Sequence, residues 1–403
     1  MVTKSLRWGI GGISRGNRVF YRRWVHWAAR EVFEAFERDS QMATQEQVLA
    51  ALAGVADPNT GKDFVSTKAV RNVHVEGGDV SFDVELGYPA KSQWPELRRA
   101  LIAAAKSVPG VSNVSVNITT NVTAHAVQRG VQLMPNVKNI IAVASGKGGV
   151  GKSTTAANLA LALAAEGARV GVLDADIYGP SQPMMLGIDK RPESEDGQTM
   201  EPLENHGVQV MSIGFLVNQD EAMIWRGPMA TQALEQLLRQ TNWDALDYLI
   251  VDMPPGTGDI QLTLSQRVPM TGAVIVTTPQ DIALIDARKA VTMFEKVGVP
   301  ILGVVENMAV HVCSNCGHAE HIFGAGGGQR YAEEKGIPYL GALPLDIHIR
   351  EQADSGKPTV VADPDSEPAK IYRSVARQVA IRIAARAKDF SAKFPTITVS
   401  KNT

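Results

Sequence analysis

The sequence of 403 residues contains only two cysteines, carries almost no net charge and has no long apolar run. Two cysteines are too few for a disulfide framework, so we expect a reducing compartment such as the cytoplasm. Because no run of about 18 apolar residues occurs, we expect no transmembrane helix and no membrane partner. A formal net charge of −2 argues against a wholly basic surface, and we expect no nucleic-acid partner.

The composition that remains is that of an ordinary globular protein, with 44% hydrophobic and 20% charged residues. Single hydrophobic cores stop growing at about 250–300 residues, so the length predicts more than one domain.

Residues 1–41 differ from the rest of the chain in charge. Eight of them are Lys or Arg and four are Asp or Glu, and all four acids lie at or after Glu31. Three interpretations stay open: a start codon assigned upstream of the natural one, a transit peptide and a genuine basic extension. We favour a natural start at Met42 and exclude residues 1–41 from the fold.

Residues 42–123 have the pattern of a small α+β domain that closes as two layers. Apolar periodicity and turn residues predict a helix from Thr44, strands at Ala69–Val75 and Val80–Leu86, a helix at Trp94–Ser107 and a strand at Val111–Thr119. Residues 124–138 show weak periodicity, and we interpret them as a linker.

Residues 139–390 alternate apolar strands with helices, which is typical of an α/β domain with a mostly parallel sheet and helices on both faces. Residues 391–403 are expected to form a tail. The final helix, Pro368–Phe390, is basic and amphipathic, and we expect it to close the domain rather than to anchor it in a membrane. The predicted strands are Ile140–Ala144, Val170–Leu173, Val208–Ile213, Tyr248–Val251, Ala273–Thr277, Ile301–Glu306 and Tyr339–Ala342.

The segment Gly146–Ser153 fits the phosphate-loop pattern G-x-x-x-x-G-K-S/T, between a predicted strand and a predicted helix. In such a loop the backbone N–H groups converge on phosphate oxygens. Lys152 is expected to lie along the β- and γ-phosphates of ATP and Ser153 to bind Mg²⁺. The predicted nucleotide contacts are Gly146, Lys147, Gly148, Gly149, Val150, Gly151, Lys152, Ser153 and Thr154.

The loop contains a second lysine, Lys147, that a plain phosphate loop does not need. The string Lys147–Ser153 resembles the deviant Walker A motif of MinD/ParA-type ATPases. The resemblance implies that Lys147 reaches the nucleotide of a second subunit. A second cation there would stabilise charge that develops during phosphoryl transfer.

Three aspartates follow predicted strands, at the edge of a parallel sheet where ligands bind. Asp252 ends an apolar strand in the Walker B manner and is expected to hold Mg²⁺ through water. The resemblance implies that Asp176 orients the attacking water. It places Asp174 in the nucleotide site as well, nearer the metal and the lysine. The Gly/Pro-rich residues 253–259 are interpreted as a switch that senses the γ-phosphate.

Both cysteines, Cys313 and Cys316, lie in one C-x-x-C loop with histidines on either side. The spacing is compatible with a structural zinc site, a redox dithiol, ordinary buried cysteines or half of an iron–sulfur site. An all-cysteine cluster needs four thiolates, and a two-fold dimer of this chain supplies four. We therefore favour a cluster that bridges two subunits.

Taken together, residues 140–154, 174–181, 252–259 and 306–308 with the C-x-x-C loop resemble the Mrp/ApbC family of ATP-dependent iron–sulfur cluster carriers. The resemblance implies a homodimeric ATPase that passes a cluster, expected to be 4Fe–4S, to apo iron–sulfur proteins. It places Asn307 beside the adenine base.

The first domain resembles the MIP18-type domain of many bacterial members but has no cysteine, which favours docking or regulation over cluster binding. A MinD/ParA-type positioning ATPase without a metal is the alternative function. A reductase like the nitrogenase iron protein ranks last, because its cluster ligands come from two separate parts of each chain.

Overall fold

The computed structural model describes residues 43–128, 131–217, 227–313 and 315–386. The predicted extension 1–41, the favoured start at Met42 and the predicted tail 391–403 lie outside these ranges. The chain divides into two compact units. One comprises the chain up to Val84 with Glu96–Ile118, and the other comprises Glu85–Pro95 and the chain from Thr119.

The first part of the chain forms helices α1 and α2 and a three-stranded sheet. Their bounds are α1 Gln45–Leu52, β1 Val70–Glu76, β2 Asp79–Leu86, α2 Trp94–Lys106 and β3 Asn113–Thr120. The strand order is β1-β2-β3. Buried and more exposed residues alternate along β2, as expected for a strand with one face on a core.

The second unit is built on an eight-stranded sheet. Its strands are β4 Val137–Ala144, β5 Val170–Asp174, β6 Leu203–Asn205, β7 Val208–Ser212, β8 Leu246–Asp252, β9 Gly272–Thr277, β10 Ile301–Glu306 and β13 Tyr339–Ala342. Between β10 and β13 the chain forms a separate small hairpin of β11 His311–Val312 and β12 Ala319–Glu320. The strand order is β13-β10-β9-β4-β8-β5-β7-β6.

Helices connect these strands. They are α3 Lys152–Ala165, α4 Gln182–Met185, α5 Gly227–Gln240, α6 Asp259–Arg267, α7 Asp281–Lys296, α8 Gly327–Lys335, α9 Ile347–Asp354, α10 Thr359–Ala362 and α11 Glu367–Ala384.

The predicted fold class is confirmed, and all seven predicted strands of the second unit are present. Within the described residues, every pairing in the large sheet is parallel except that of β6 with β7. Strand β6 was not predicted, because its three partly exposed residues carry no clear hydrophobic period. The parallel strands all end at one edge of the sheet, called the carboxyl edge below.

Helix α11 closes the second unit, as its apolar period predicts. Its buried face packs on α3. Arg377 of α11 also donates a hydrogen bond of 2.5 Å to the fully buried Glu166, which follows α3. The described residues contain no helix long and apolar enough to cross a membrane.

Candidate functional site

The phosphate loop leaves β4 at the carboxyl edge and enters α3 at Lys152. Gly151 has a left-handed backbone with φ of 81°, and a side chain there would collide with the amide nitrogen of Asn307. A side chain at Gly146 would collide with the backbone of Asp286 in α7. These two glycines therefore allow the loop to lie against neighbouring segments.

Lys152 and Asp252 form a buried ion pair at the end of β8. The lysine Nζ contacts Oδ1 of Asp252, and both side chains are removed from solvent. Nζ also lies 3.0 Å from the hydroxyl oxygen of Ser153. In this arrangement the lysine that is predicted to bind phosphate compensates the charge of the Walker B carboxylate.

Gln182 was not among the predicted site residues, although it lies at the centre of this site. Its side-chain nitrogen donates to Oδ2 of Asp252 at 2.9 Å and to the carbonyl oxygen of Ser153 at 3.1 Å. The residue is completely buried. It is the first residue of α4, between Pro180 and Pro183, but the spacing alone gives no sign that its amide reaches two distant motifs.

Asp174 lies beside Asp252 because the two residues are register partners at the ends of β5 and β8. Its Oδ2 accepts hydrogen bonds from the N–H groups of Ser181 and Gln182, each at 3.0 Å, and from the Ser212 hydroxyl at 3.1 Å. Burial, reinforced by the Asp252 carboxylate, raises the pKa of Asp174 to about 7. This carboxyl group therefore anchors the loop that follows β5, up to Gln182.

Asp176 and Lys147 lie nearer the solvent than the buried pair. The backbone N–H of Asp176 donates to Asp174, and burial raises the pKa of the Asp176 carboxyl above its ordinary value. Lys147 is half-buried, and its carbonyl oxygen accepts a hydrogen bond of 2.8 Å from Ser145. Each of the two side chains is thus partly accessible at the carboxyl edge.

Asn307 touches the phosphate loop directly. Its side-chain nitrogen donates to the carbonyl oxygen of Val150 at 2.9 Å, and its side-chain oxygen accepts from the N–H of Met308 at 2.9 Å. Met308 adopts a left-handed backbone with φ of 56°. The residue expected beside adenine therefore joins the loop to the segment that leads to the cysteines.

That segment forms the β11–β12 hairpin, in which Cys313 is half-buried and Cys316 is exposed. The Cys313 N–H donates to the His318 carbonyl at 2.9 Å, and the Gly317 N–H donates to the Cys313 carbonyl at 2.8 Å. Hydrogen bonds from the backbones of Cys316 and Asn315 lower the pKa of the Cys313 thiol. A thiol with a lowered pKa is the more ready to act as a soft-metal ligand.

Zinc bound within one chain would need further ligands beside the two thiols. His311 and His321 donate from Nδ1 to the carbonyl oxygens of Leu345 and Ala309, at 3.0 and 2.7 Å. No group of three or more His, Cys, Asp or Glu residues suited to a metal occurs among the residues that the structure describes.

A buried glutamate that was not a predicted site residue links the two ends of the segment that contains the cysteines. The Glu306 carboxylate accepts a hydrogen bond from the Gly328 N–H at the start of α8. A side chain at Gly328 would press against this carboxylate. Glu306 therefore ties the end of the segment 307–327 to its beginning. Its place at the end of β10 and its place at the start of the 306–308 motif are the signals in the sequence that could have pointed to it.

Comparison with known proteins decides the family. The sequence profile of the NUBPL iron-transfer P-loop NTPases matches residues 136–380, more than half of the chain. The chain belongs to this family. A second profile, described as an iron-sulfur cluster assembly protein, matches residues 45–118. The resemblance inferred from the motifs is confirmed, and the chain is a P-loop NTPase with a smaller domain in front.

Curated relatives and a solved structure agree with this assignment. An iron-sulfur cluster carrier protein of Pseudomonas fragi is 62% identical over 68% of this chain and 96% of the relative. One from Escherichia coli is 51% identical over 87% of this chain and 95% of the relative. A nucleotide-binding protein of Archaeoglobus fulgidus, solved in complex with ADP and with cobalt found in it, is 38% identical with a TM-score of 0.51, over 58% and 90% of the two chains.

Proposed function

We propose that the chain is an ATP-hydrolysing carrier that binds an iron–sulfur cluster between two subunits and transfers it to apo iron–sulfur proteins. The observation that carries this proposal is the hydrogen bond between the phosphate loop and the segment that contains the cysteines. Asn307 donates to the phosphate loop, and the segment that it begins contains both cysteines. The family match and the names of the relatives favour this function over a positioning ATPase.

In the nucleotide site, Lys152 leaves Asp252 and binds the β- and γ-phosphates of ATP. The residues present fit Mg²⁺, because a hydroxyl group and a buried carboxylate at Ser153 and Asp252 are the hard oxygen donors that it prefers. The bound metal ion would neutralise charge on the phosphate oxygens. Asp176 orients the attacking water, and Lys147 adds a positive charge at the γ-phosphate of the partner subunit's nucleotide.

The cluster is cargo, and its proposed ligands are Cys313 and Cys316 of two copies of the chain. Four thiolates complete a 4Fe–4S cluster, and one chain supplies two. A homodimer is further supported by large apolar side chains that lie exposed in segments after the carboxyl ends of strands. Ile282 is 70% exposed, Tyr178 63% and Ile347 56%.

The reducing cytoplasm is the proposed compartment, because thiolates that hold a transferable cluster must stay out of disulfides. The partners are then a second copy of the chain and apo-proteins with vacant thiolates. Neither a membrane nor a nucleic acid is part of the proposed cycle.

The test is anaerobic reconstitution of the wild-type chain and of a Cys313→Ala/Cys316→Ala double variant with iron and sulfide. We expect a broad absorption shoulder near ~400 nm in the wild type, with bound iron and sulfide that the double variant lacks. A Lys147→Met variant is the matched control, since it keeps both thiols and the buried Lys152–Asp252 pair and should load the cluster while losing ATP hydrolysis. Equal iron and sulfide in the double variant would refute the proposed site.

A further inference from the structure

The strongest unassigned feature of the nucleotide site is the side chain of Gln182. It is completely buried and lies in the first turn after the Asp174 loop. Its amide nitrogen reaches Oδ2 of Asp252 at 2.9 Å and the carbonyl oxygen of Ser153 at 3.1 Å. Its backbone N–H donates to Asp174 at 3.0 Å. One residue therefore contacts the phosphate loop, the Walker B strand and the end of β5.

The two oxygens of Asp252 have different partners. Oδ1 faces the Lys152 ammonium and Oδ2 faces the Gln182 amide. ATP carries phosphate charges that compete for the ammonium, so Oδ1 loses its partner when Lys152 turns to the nucleotide. The Gln182 amide carries no net charge, so the phosphates do not attract it away from Asp252 as they attract the Lys152 ammonium. Gln182 is then the contact that keeps the carboxylate in its present orientation.

The side-chain oxygen of Gln182 is suited to accept a hydrogen bond from a bound polar ligand. The side-chain oxygen of Gln182 is buried and makes no hydrogen bond within the part of the chain that the structure describes. Buried amide oxygens are usually paired, and an unpaired one is costly. The metal-bound waters expected beside Ser153 and Asp252 are hydrogen-bond donors of the kind that this acceptor lacks.

We propose that Gln182 is a positioning residue of the ATP site, which fixes Asp252 towards the hydrated Mg²⁺ while Lys152 moves to the phosphates. This proposal rests on the magnesium-dependent nucleotide site proposed above. It predicts that Gln182 contributes to nucleotide affinity chiefly when Mg²⁺ is present. A residue that only held the loop in place would contribute equally with and without the metal.

The test uses a Gln182→Met variant, which keeps the length and volume of the side chain and removes its hydrogen bonds. The dissociation constant of a fluorescent ATP analogue is measured on the full chain with excess Mg²⁺ and with EDTA. We expect the Mg²⁺-dependent gain in affinity to fall by about tenfold, the cost of one hydrogen bond to a charged group. Affinity in EDTA should stay within about twofold of wild type.

Gln209→Met is the matched control. Gln209 is also a buried glutamine, but it lies at the start of β7 and exchanges hydrogen bonds with the backbone of Asp244, at the opposite edge of the sheet. This variant should leave the Mg²⁺-dependent gain unchanged. If Gln209→Met lowered that gain as much as Gln182→Met, the effect would be general and the proposal would fail.

A Gln182→Glu variant gives a second readout. Its carboxylate would face two acceptors, Oδ2 of Asp252 and the Ser153 carbonyl, so the Mg²⁺-dependent gain should fall below that of Gln182→Met. A gain equal to that of the wild type would contradict the proposed contact.

Two outcomes overturn the proposal in different ways. Equal losses with Mg²⁺ and with EDTA in Gln182→Met, or no loss in either, would assign Gln182 a purely structural role and leave the magnesium site intact. A wild-type chain that binds the analogue equally well with and without Mg²⁺ would refute the magnesium site itself, and the proposal with it.

Discussion

The free energy of unfolding of an Asp174→Asn variant, relative to that of the wild type, should increase as the pH rises when both are measured without nucleotide. The carboxyl group is completely buried, and its pKa is raised by burial, then by Asp252, from the ordinary 3.8 to about 7. The folded state therefore binds the proton more tightly than the unfolded state does. The stability that this proton provides is complete below the unfolded pKa and is lost as the pH rises through the folded pKa.

The magnitude follows from the size of the shift. A difference of about three pKa units, at about 1.36 kcal/mol each, corresponds to about 4 kcal/mol over the whole titration. About 2 kcal/mol of this loss falls between about pH 5.5 and pH 8. Asparagine does not titrate, so the free energy of unfolding of Asp174→Asn, minus that of the wild type, should increase by this amount across the range.

The hydrogen bonds allow the replacement. Three donors converge on Oδ2 of Asp174, where the carbonyl oxygen of asparagine can accept them. They belong to Ser181, Gln182 and Ser212. The new NH₂ group would face the N–H of Asp176, which now donates to Oδ1 at 3.2 Å. This opposition costs about 1 kcal/mol at every pH. It shifts the whole curve without changing its slope.

The assay is urea unfolding of the chain without nucleotide or Mg²⁺, followed by tryptophan emission at half-unit steps of pH. Asp189→Asn, at an exposed aspartate, is the control and should give a flat difference curve. A difference curve for Asp174→Asn that is equally flat would contradict the raised pKa. A curve that falls with pH would show that the hydrogen bonds outweigh burial and the charge of Asp252.

Three further perturbations test other parts of the site. Gly151→Ala forces a side chain against Asn307 at a left-handed backbone position, so ATP affinity should fall by about tenfold or more, measured with a fluorescent analogue. Glu306→Ala releases Gly328 and should shorten the lifetime of the reconstituted cluster while ATP affinity stays within about twofold, measured by decay of visible absorption. Ile282→Asp places a charge on a 70% exposed apolar residue and should shift the ATP-bound chain towards monomer in sedimentation velocity. An unchanged sedimentation coefficient would place the subunit interface elsewhere.

The fold was predictable where one local pattern determines the structure. The apolar strands and the phosphate loop have strong periodic or spaced signals, and Asp174 and Asp252 could be expected at one edge because each ends a parallel strand. The pairing of Lys152 with Asp252 was not predictable, since the phosphate-loop pattern predicts only phosphate oxygens as partners of this lysine. Gln182 escaped detection because its contacts span long sequence separations with no pattern of their own.

The contacts around Asn307 explain how one end of the site can influence the other. A shift of the phosphate loop at Val150 must either break its hydrogen bond from the Asn307 side chain or move that side chain with it. The side-chain oxygen of Asn307 in turn accepts a hydrogen bond from the N–H of Met308. The far end of the cysteine segment is tied back at Gly328 by Glu306. Between these two ties, the ring of His311 donates to the Leu345 carbonyl and the ring of His321 donates to the Ala309 carbonyl. A displacement that enters the segment at Asn307 therefore meets these hydrogen bonds before it reaches the hairpin, whose described residues are half-buried or exposed and which carries both thiols.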